Sequence, residues 1–295
     1  MFYERIASNK RRTVLLVGLF IAFVLAVGAA LSYLLRFGWI GLAVAGVVAL
    51  VLSVGSYWNS DKIVIALAGA KPADPVQYAR LHNLVEAMAI AAGIPKPKVY
   101  VIDDPAPNAF ATGRDPRHAA IAVTTGLLEI MNRVELEGVI AHEMSHIKNY
   151  DTLVGTVAAV LAGTVVVASD ITLRLLWFGG DRRGRDSESK NPIFLALALL
   201  AVVLAPLGAA LIRAAISRRR ESLADFSAVQ LTRYPPGLIG ALEKLRDNPT
   251  VVRHHSNAIA HLYIESPVAS ESSVLNRLFD THPPIEERIE ALKEL

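Results

Sequence analysis

The chain contains no cysteine among its 295 residues. That excludes disulfides and thiolate metal ligands, so any metal site must be built from His, Asp and Glu. Charge is scarce as well. Asp, Glu, Lys and Arg make up 19% of the residues, against about 25% in an ordinary soluble domain. The net charge is only +3, and the basic residues flank apolar runs instead of lining one long face. This speaks against a nucleic-acid partner. The excess is apolar: 53% of the residues are hydrophobic.

That apolar content is concentrated in four runs, residues 13–35, 37–58, 152–178 and 193–217. A helix needs about 20 residues to cross the hydrocarbon core of a bilayer, and each run approaches or exceeds that length. The first is too long for the core of a cleaved signal peptide, and the second follows it at once, so the two read as a transmembrane hairpin. The third carries Ser169, Asp170 and Arg174, which implies tilt or a polar surrounding. Lys10, Arg11 and Arg12 precede the first run, and Arg218, Arg219 and Arg220 follow the fourth. Both marks place the N-terminus and the flanking polar segments in the cytoplasm. Residues 179–191 are then external despite four basic side chains, which Asp181, Asp186 and Glu188 offset in part.

The expected organisation is an N-terminal hairpin (1–58), a first polar part (59–151), a second hairpin (152–217) and a second polar part (218–295). In the first polar part, Asp74-Pro75 opens a helix and Gly93 followed by Pro95 closes it. Strands are expected at 98–102, 108–112 and 119–124, with a turn at 113–118. Asn132 and Glu135 form a capping-box pattern that starts a helix running to Asn149. In the second polar part, helices are expected near 218–231, 236–246 and 284–293. The Ser- and His-rich stretch 248–273 reads as a mobile loop. His82, His118, His254, His255 and His261 are read as surface, turn or loop residues.

One stretch carries chemistry: Ala141-His142-Glu143-Met144-Ser145-His146. On a helix, His142 and His146 share a face and can offer two imidazole nitrogens to one Zn²⁺. Glu143 lies one step round, beside the position a water would take, where a carboxylate can act as general base. A catalytic zinc requires a third protein ligand. A third histidine ten residues after the first is excluded, because position 152 is Thr. Glu221, beside three arginines, would alone read as a solvated carboxylate. Its pairing with the His motif, and with Asp225 four residues on, makes it the best third ligand. Asp225 can then hold the outer N–H of a metal-bound His. If His146 and Glu221 share an ion, residues 152–217 must cross the membrane an even number of times, and two apolar runs lie there.

The segment "AHEMSHIKNYD", the two apolar runs, "RRRESLAD" and a late "THPP" together resemble the HtpX-type membrane metalloproteases, which share a family with the zinc-type CAAX prenyl proteases. "PNAFATG" at 107–113 and "VTTGLL" at 123–128 extend the resemblance over nearly the whole chain. It implies an α+β, mainly α fold: about four transmembrane helices and a gluzincin-like cytoplasmic protease domain with a small β-sheet. It implies one Zn²⁺ per chain and an endopeptidase of a prokaryotic plasma membrane that cleaves misfolded or damaged membrane proteins. By the same resemblance, Asn108, Ala109 and Phe110 belong to an edge strand that aligns substrate, and His282 stabilises the charged transition state. Arg288 is read as pairing with Glu on its own helix, ahead of orienting a carboxylate nearby. The alternatives are a prenyl-protein processing protease and a non-catalytic zinc-containing membrane scaffold.

Overall fold

The computed structural model describes residues 2–35, 38–163, 218–248, 252, 259–265 and 283–295. The fourth apolar run, most of the third, the loop 179–191, and His254, His255 and His282 lie outside the described residues. Two long helices come first, α1 (Phe2–Leu35) and α2 (Gly38–Leu67), packed against one another. Among the described residues, one segment, Gly38–Gly55 in α2, is long and apolar enough to cross a membrane. The first expected run lies within α1. Both helices expose large apolar side chains, including Val14, Leu15 and Leu19 on α1 and Val44, Val47, Leu50 and Val51 on α2. An apolar surface of that extent requires a partner other than water.

Two boundaries differ from expectation. α1 begins about three turns before its apolar run, so Asn9 and Lys10 are helical. α2 continues past residue 58, because Val64, Ile65 and Ala68 on its last turns pack against the sheet. The expected division at 58/59 therefore falls inside a helix.

The sheet has four strands in the order β1-β2-β4-β3, with β1 (Lys71–Pro72), β2 (Lys98–Ile102), β3 (Ala109–Gly113) and β4 (Ala119–Thr124). β2 and β4 are parallel, while β1 and β3 run antiparallel to their neighbours. β2 and β4 have the expected bounds, and β3 starts one residue late. β1 was not expected: two residues are too short to show a period. Alternation along the strands sends Val99, Val101, Ile121, Val123, Ala109 and Ala111 to one core. Ile102, Ala120, Ala122 and Phe110 go to another. The sheet is thus covered on both faces.

The first core is closed by α3 (Ala79–Ala92), α5 (Arg133–Lys148), α7 (Arg218–Thr232), α8 (Pro235–Asp247) and α9 (Ile285–Lys293). Gly93 ends α3 in the left-handed conformation at φ 69°, as its sequence predicts. Asp74 accepts from the amides of Val76 and Gln77, but a turn intervenes before the helix begins. A short helix α4 (Thr125–Ile130), capped by Thr124, was not expected. The second core is closed by α2 and by α6 (Asp151–Gly163). A third, smaller core joins Leu16 and Phe20 of α1 to Leu153, Val157 and Leu161 of α6.

α5 is central. The expected capping box is present: Asn132 accepts from the amides of Val134 and Glu135, and Glu135 accepts from the amide of Asn132. α5 crosses α8 with almost no space between the backbones. A Cβ on Gly138 would lie 2.8 Å from the amide nitrogen of Leu238, and one on Gly237 would lie 2.8 Å from the carbonyl oxygen of Val134. For Gly138→Ala, an overpacking cost of about 1–3 kcal/mol exceeds the helix-propensity gain of about 0.5–1 kcal/mol. The variant is expected to melt at a lower temperature than wild type in detergent. An unchanged or higher melting temperature would show that the two helices separate freely.

Candidate metal centre

α5 buries most of its functional face, with His146 partly exposed. His142, Glu143 and Ser145 are each at most 2% exposed. His142 and His146 are one turn apart, and their Nε2 atoms approach to 3.1 Å. α7 packs against α5 and supplies Glu221. Its Oε2 lies 3.6 Å from His142 Nε2, and its Oε1 lies 3.6 Å from His146 Nε2. The three ligand atoms lie within 4.8 Å of one another. Two imidazoles and a carboxylate converging from two helices suit a divalent cation such as zinc. All three sequence-predicted ligands are therefore brought together. Glu143 is buried on the same helix, one residue from His142.

A carboxylate lies behind each imidazole. His142 Nδ1 lies 2.9 Å from Asp225 Oδ1, at the expected i+4 position on α7. His146 Nδ1 lies 3.2 Å from Asp151 Oδ2. Asp151 was missed by the sequence reading. The available signal was its place immediately after the helix that carries the His pair, where the chain turns back beside His146. Such partners fix the imidazole tautomer and leave Nε2 free to bind a metal.

Arg288 corrects an expectation. It does not pair with a Glu on its own helix. Its guanidinium grips Asp225 with two parallel bonds, Nε to Oδ2 at 2.8 Å and Nη2 to Oδ1 at 2.7 Å. A third donor, Nη1, reaches the carbonyl of Ile264 at 3.2 Å. The intrahelical Glu was preferred because helix neighbours are visible in sequence. The observed partner lies 63 positions away, and full burial of Arg288 makes a charged partner obligatory.

The electrostatics follow from these contacts. Burial alone would raise the pKa of Asp225, but the Arg288 charge and hydrogen bonds outweigh it and hold it at about 2. Burial alone would lower that of His142, but Asp225 and Glu221 lift it to about 9. Burial likewise opposes protonation of His146, and Glu221 and Asp151 reverse the effect. Without metal, the surrounding carboxylates thus favour protonation of both imidazoles over the effect of burial.

β3 is the edge of the sheet nearest α5. Asn108 immediately precedes it. Its carbonyl accepts from the Thr124 amide at 2.9 Å, so Asn108, Phe110 and Thr112 turn their main chain toward β4. Ala109, Ala111 and Gly113 turn theirs outward. That outer edge meets other parts of the chain. The carbonyl of Ala109 accepts from Ile264 at 2.9 Å, and the amide of Gly113 donates to the Thr156 hydroxyl at 3.2 Å. The Asn108 amide group donates to the carbonyl of Glu265 at 2.9 Å. Phe110 is fully buried, edge-on to Tyr263 with ring centroids 5.0 Å apart. Part of the expected mobile loop, residues 259–265, is therefore packed on β3, and His261 within it is buried, 3.1 Å from the Gly155 carbonyl. His82 Nε2 lies 3.0 Å from the Ala73 carbonyl, and His118 pairs with Asp115. Neither belongs to the metal-ligand cluster.

Two outcomes are expected. Arg288→Ala strands the buried Asp225 charge and should destabilise the fold by about 3–5 kcal/mol, read as a lower midpoint in chemical unfolding. Metal must also displace protons. The raised His142 pKa stabilises the metal-free fold fully below 6.5 and loses that contribution as pH rises through about 9. Apparent Zn²⁺ affinity should therefore rise with pH up to about 9, and calorimetry near neutral pH in buffers of different ionisation enthalpy should detect proton release. Affinity independent of pH over that range would contradict this arrangement.

Residues 75–295 match peptidase family M48. The chain is 46% identical over 295 residues to "Protease HtpX homolog" of Caldanaerobacter subterraneus subsp. tengcongensis, covering 99% of this chain and 97% of that protein. It is 43% identical over 303 residues to "Protease HtpX homolog" of Streptococcus gordonii, covering all of both chains. The crystal structure of S. mikatae Ste24p aligns with a TM-score of 0.49 and 19% identity, over 98% of this chain and 67% of that one. With a metal-ligand cluster on α5 and α7, and a family match spanning every residue of it, the chain belongs to peptidase family M48 as a membrane-associated metalloprotease.

Proposed function

We propose that the chain is a zinc endopeptidase that cleaves membrane proteins, misfolded or damaged ones above all, on the cytoplasmic side of a prokaryotic plasma membrane. The observation that carries this reading is the convergence of His142, His146 and Glu221, with Asp225 and Asp151 behind the two imidazoles. In this reading His142, His146 and Glu221 hold one Zn²⁺, which when bound acidifies a water and polarises the scissile carbonyl. Glu143 accepts the proton from the attacking water and returns it to the leaving amine. Asp225, clamped by Arg288, keeps His142 in the tautomer that presents Nε2. His282, outside the described residues, is assigned to stabilising charge on the substrate oxygen.

A substrate peptide in extended form can pair with the outward main chain of β3, as peptides add to sheet edges elsewhere. Asn108 and Ala109 contribute to that edge, whereas Phe110 supports it from the core. Segment 259–265 now occupies the Ala109 end and the Thr156 hydroxyl the Gly113 end, so a peptide must displace one of them. The membrane setting is supported by Gly38–Gly55 and by the exposed apolar faces of α1 and α2. The proposed topology has four spans, with the second hairpin returning the chain so that Glu221 meets α5 on the same wet side.

Three measurements test this. Glu143→Gln should keep stoichiometric zinc and lose at least about a hundredfold in casein cleavage, the low end of a general base's contribution. Glu221→Ala should lose the metal itself. A Glu143→Gln protein with bound zinc and undiminished cleavage would sink the mechanism. For topology, single cysteines at Ser187 and Ser256 can be probed in this cysteine-free chain with an impermeant thiol reagent. Labelling from outside is expected only at Ser187, and labelling only at Ser256 would reverse the orientation.

A further inference from the structure

We propose that Asn9 of α1 is a positioning residue for the metal centre: it fixes Asp151, which in turn orients His146. The inference rests on the metal-site reading above. Asn9 is 5% exposed and lies 140 positions from the site it serves. Its side-chain amide nitrogen donates to Asp151 Oδ1 at 2.8 Å and to the Asn149 carbonyl at 2.9 Å, so both of its protons are spent on one turn. With Oδ1 held, the other oxygen of Asp151 faces His146 Nδ1 at 3.2 Å. The chain of contacts from α1 to a metal-ligating nitrogen is therefore Asn9, Asp151, His146.

The turn between α5 and α6 is closed by the Asn149 and Tyr150 amides, which donate to the Ser145 and Ile147 carbonyls, but it carries a strained residue. Tyr150 sits in it at φ 60°, a left-handed conformation that a bulky aromatic residue adopts only when its surroundings impose it. α1 supplies those surroundings. Next to Asn9, the Lys10 ammonium lies 4.8 Å from the centre of the Tyr150 ring. α1 thus grips three consecutive residues, Asn149, Tyr150 and Asp151, from outside. The M48 match begins at residue 75 and so does not include Asn9. An imidazole whose outer nitrogen loses a fixed carboxylate rotates more freely, and metal affinity falls by about 10–100-fold when such partners are removed.

The alternative is that Asn9 only packs α1 onto the protein. Thr13, one turn on and equally buried, sends its hydroxyl bond to the Asn9 carbonyl at 3.0 Å, not to Asp151 or His146, so Thr13→Val controls for packing of α1. The experiment uses the full-length protein in detergent, stripped of metal. Zn²⁺ affinity is measured by competition with a chromophoric chelator. The visible spectrum of the Co²⁺-substituted protein is recorded as a readout of ligand geometry, and melting of the metal-free form is followed in parallel.

Asn9→Ala should weaken Zn²⁺ binding about tenfold and shift the Co²⁺ bands. Asn9→Asp, which sets a second carboxylate against Asp151, should weaken it further. Asn9→Ser, which keeps a short donor, should fall between wild type and alanine. Thr13→Val should leave affinity and spectrum unchanged. If the alanine variant does not fold, the serine and aspartate variants carry the ranking. Wild-type affinity in Asn9→Ala, or an equal loss in Thr13→Val, would overturn the inference and leave the metal reading intact. A wild-type protein that takes up no metal would overturn the metal reading itself.

Discussion

Two imidazoles and the three carboxylates that contact them lie close together in a mostly buried site, and the rest of the architecture serves the cost of keeping them there. Burying a charge unpaired is expensive, so each must be matched. Asp225 is matched by Arg288, His142 by Asp225 and Glu221, and His146 by Glu221 and Asp151. The matching groups come from α5, the start of α6, α7 and α9. A shift of any one of these helices lengthens at least one of these contacts. The close crossing of α5 and α8 at Gly138 and Gly237 holds the central helix in place.

Arg288 does more than neutralise Asp225. Its third donor bonds the carbonyl of Ile264, whose amide bonds Ala109 on β3. A continuous set of contacts thus runs from His142 through Asp225 and Arg288 to the sheet edge on which a substrate strand is proposed to lie. Any displacement of segment 259–265 from β3 would be felt at the same guanidinium that fixes the metal-facing imidazole. On the other side, α1 reaches His146 through Asp151. The two histidines of the candidate metal site are therefore anchored to different parts of the molecule. One is tied to the C-terminal helix and the edge strand, the other to the N-terminal helix.

The polar and apolar parts are also joined more closely than a division into membrane and soluble segments suggests. α2 runs without interruption from its apolar stretch into the second core, where Val64 and Ile65 pack beneath the sheet. α6 begins at the ligand partner Asp151 and carries Thr156, whose hydroxyl caps the far end of the β3 edge. The apolar face of α6 packs on α1. The first two helices are thus in packed contact with elements that adjoin the site.

Local features were legible in the sequence because they depend on neighbours in the chain. The His142–His146 spacing, the Asn132–Glu135 capping box, the Gly93 stop and the bounds of β2 and β4 all follow from periodicity or from backbone chemistry within a few residues. Glu221 and Asp225 were legible because ligand chemistry demands a third donor and one helix turn separates them. What sequence could not decide were pairings between distant residues. Arg288 faced a choice between a helix neighbour and a carboxylate 63 positions away, and only burial excludes the first. Asp151 and Asn9 acquire their roles because α1 lies across the turn that follows α5, a contact no local pattern encodes. Segment 259–265 looked like a loop because its polar composition carries no period, yet it packs on an exposed edge whose main-chain groups require partners. The sequence by itself determined which residues could bind a metal and which segments were apolar. The tertiary structure alone decided which groups hold those ligands in place, because compensation of a buried charge depends on distance in space.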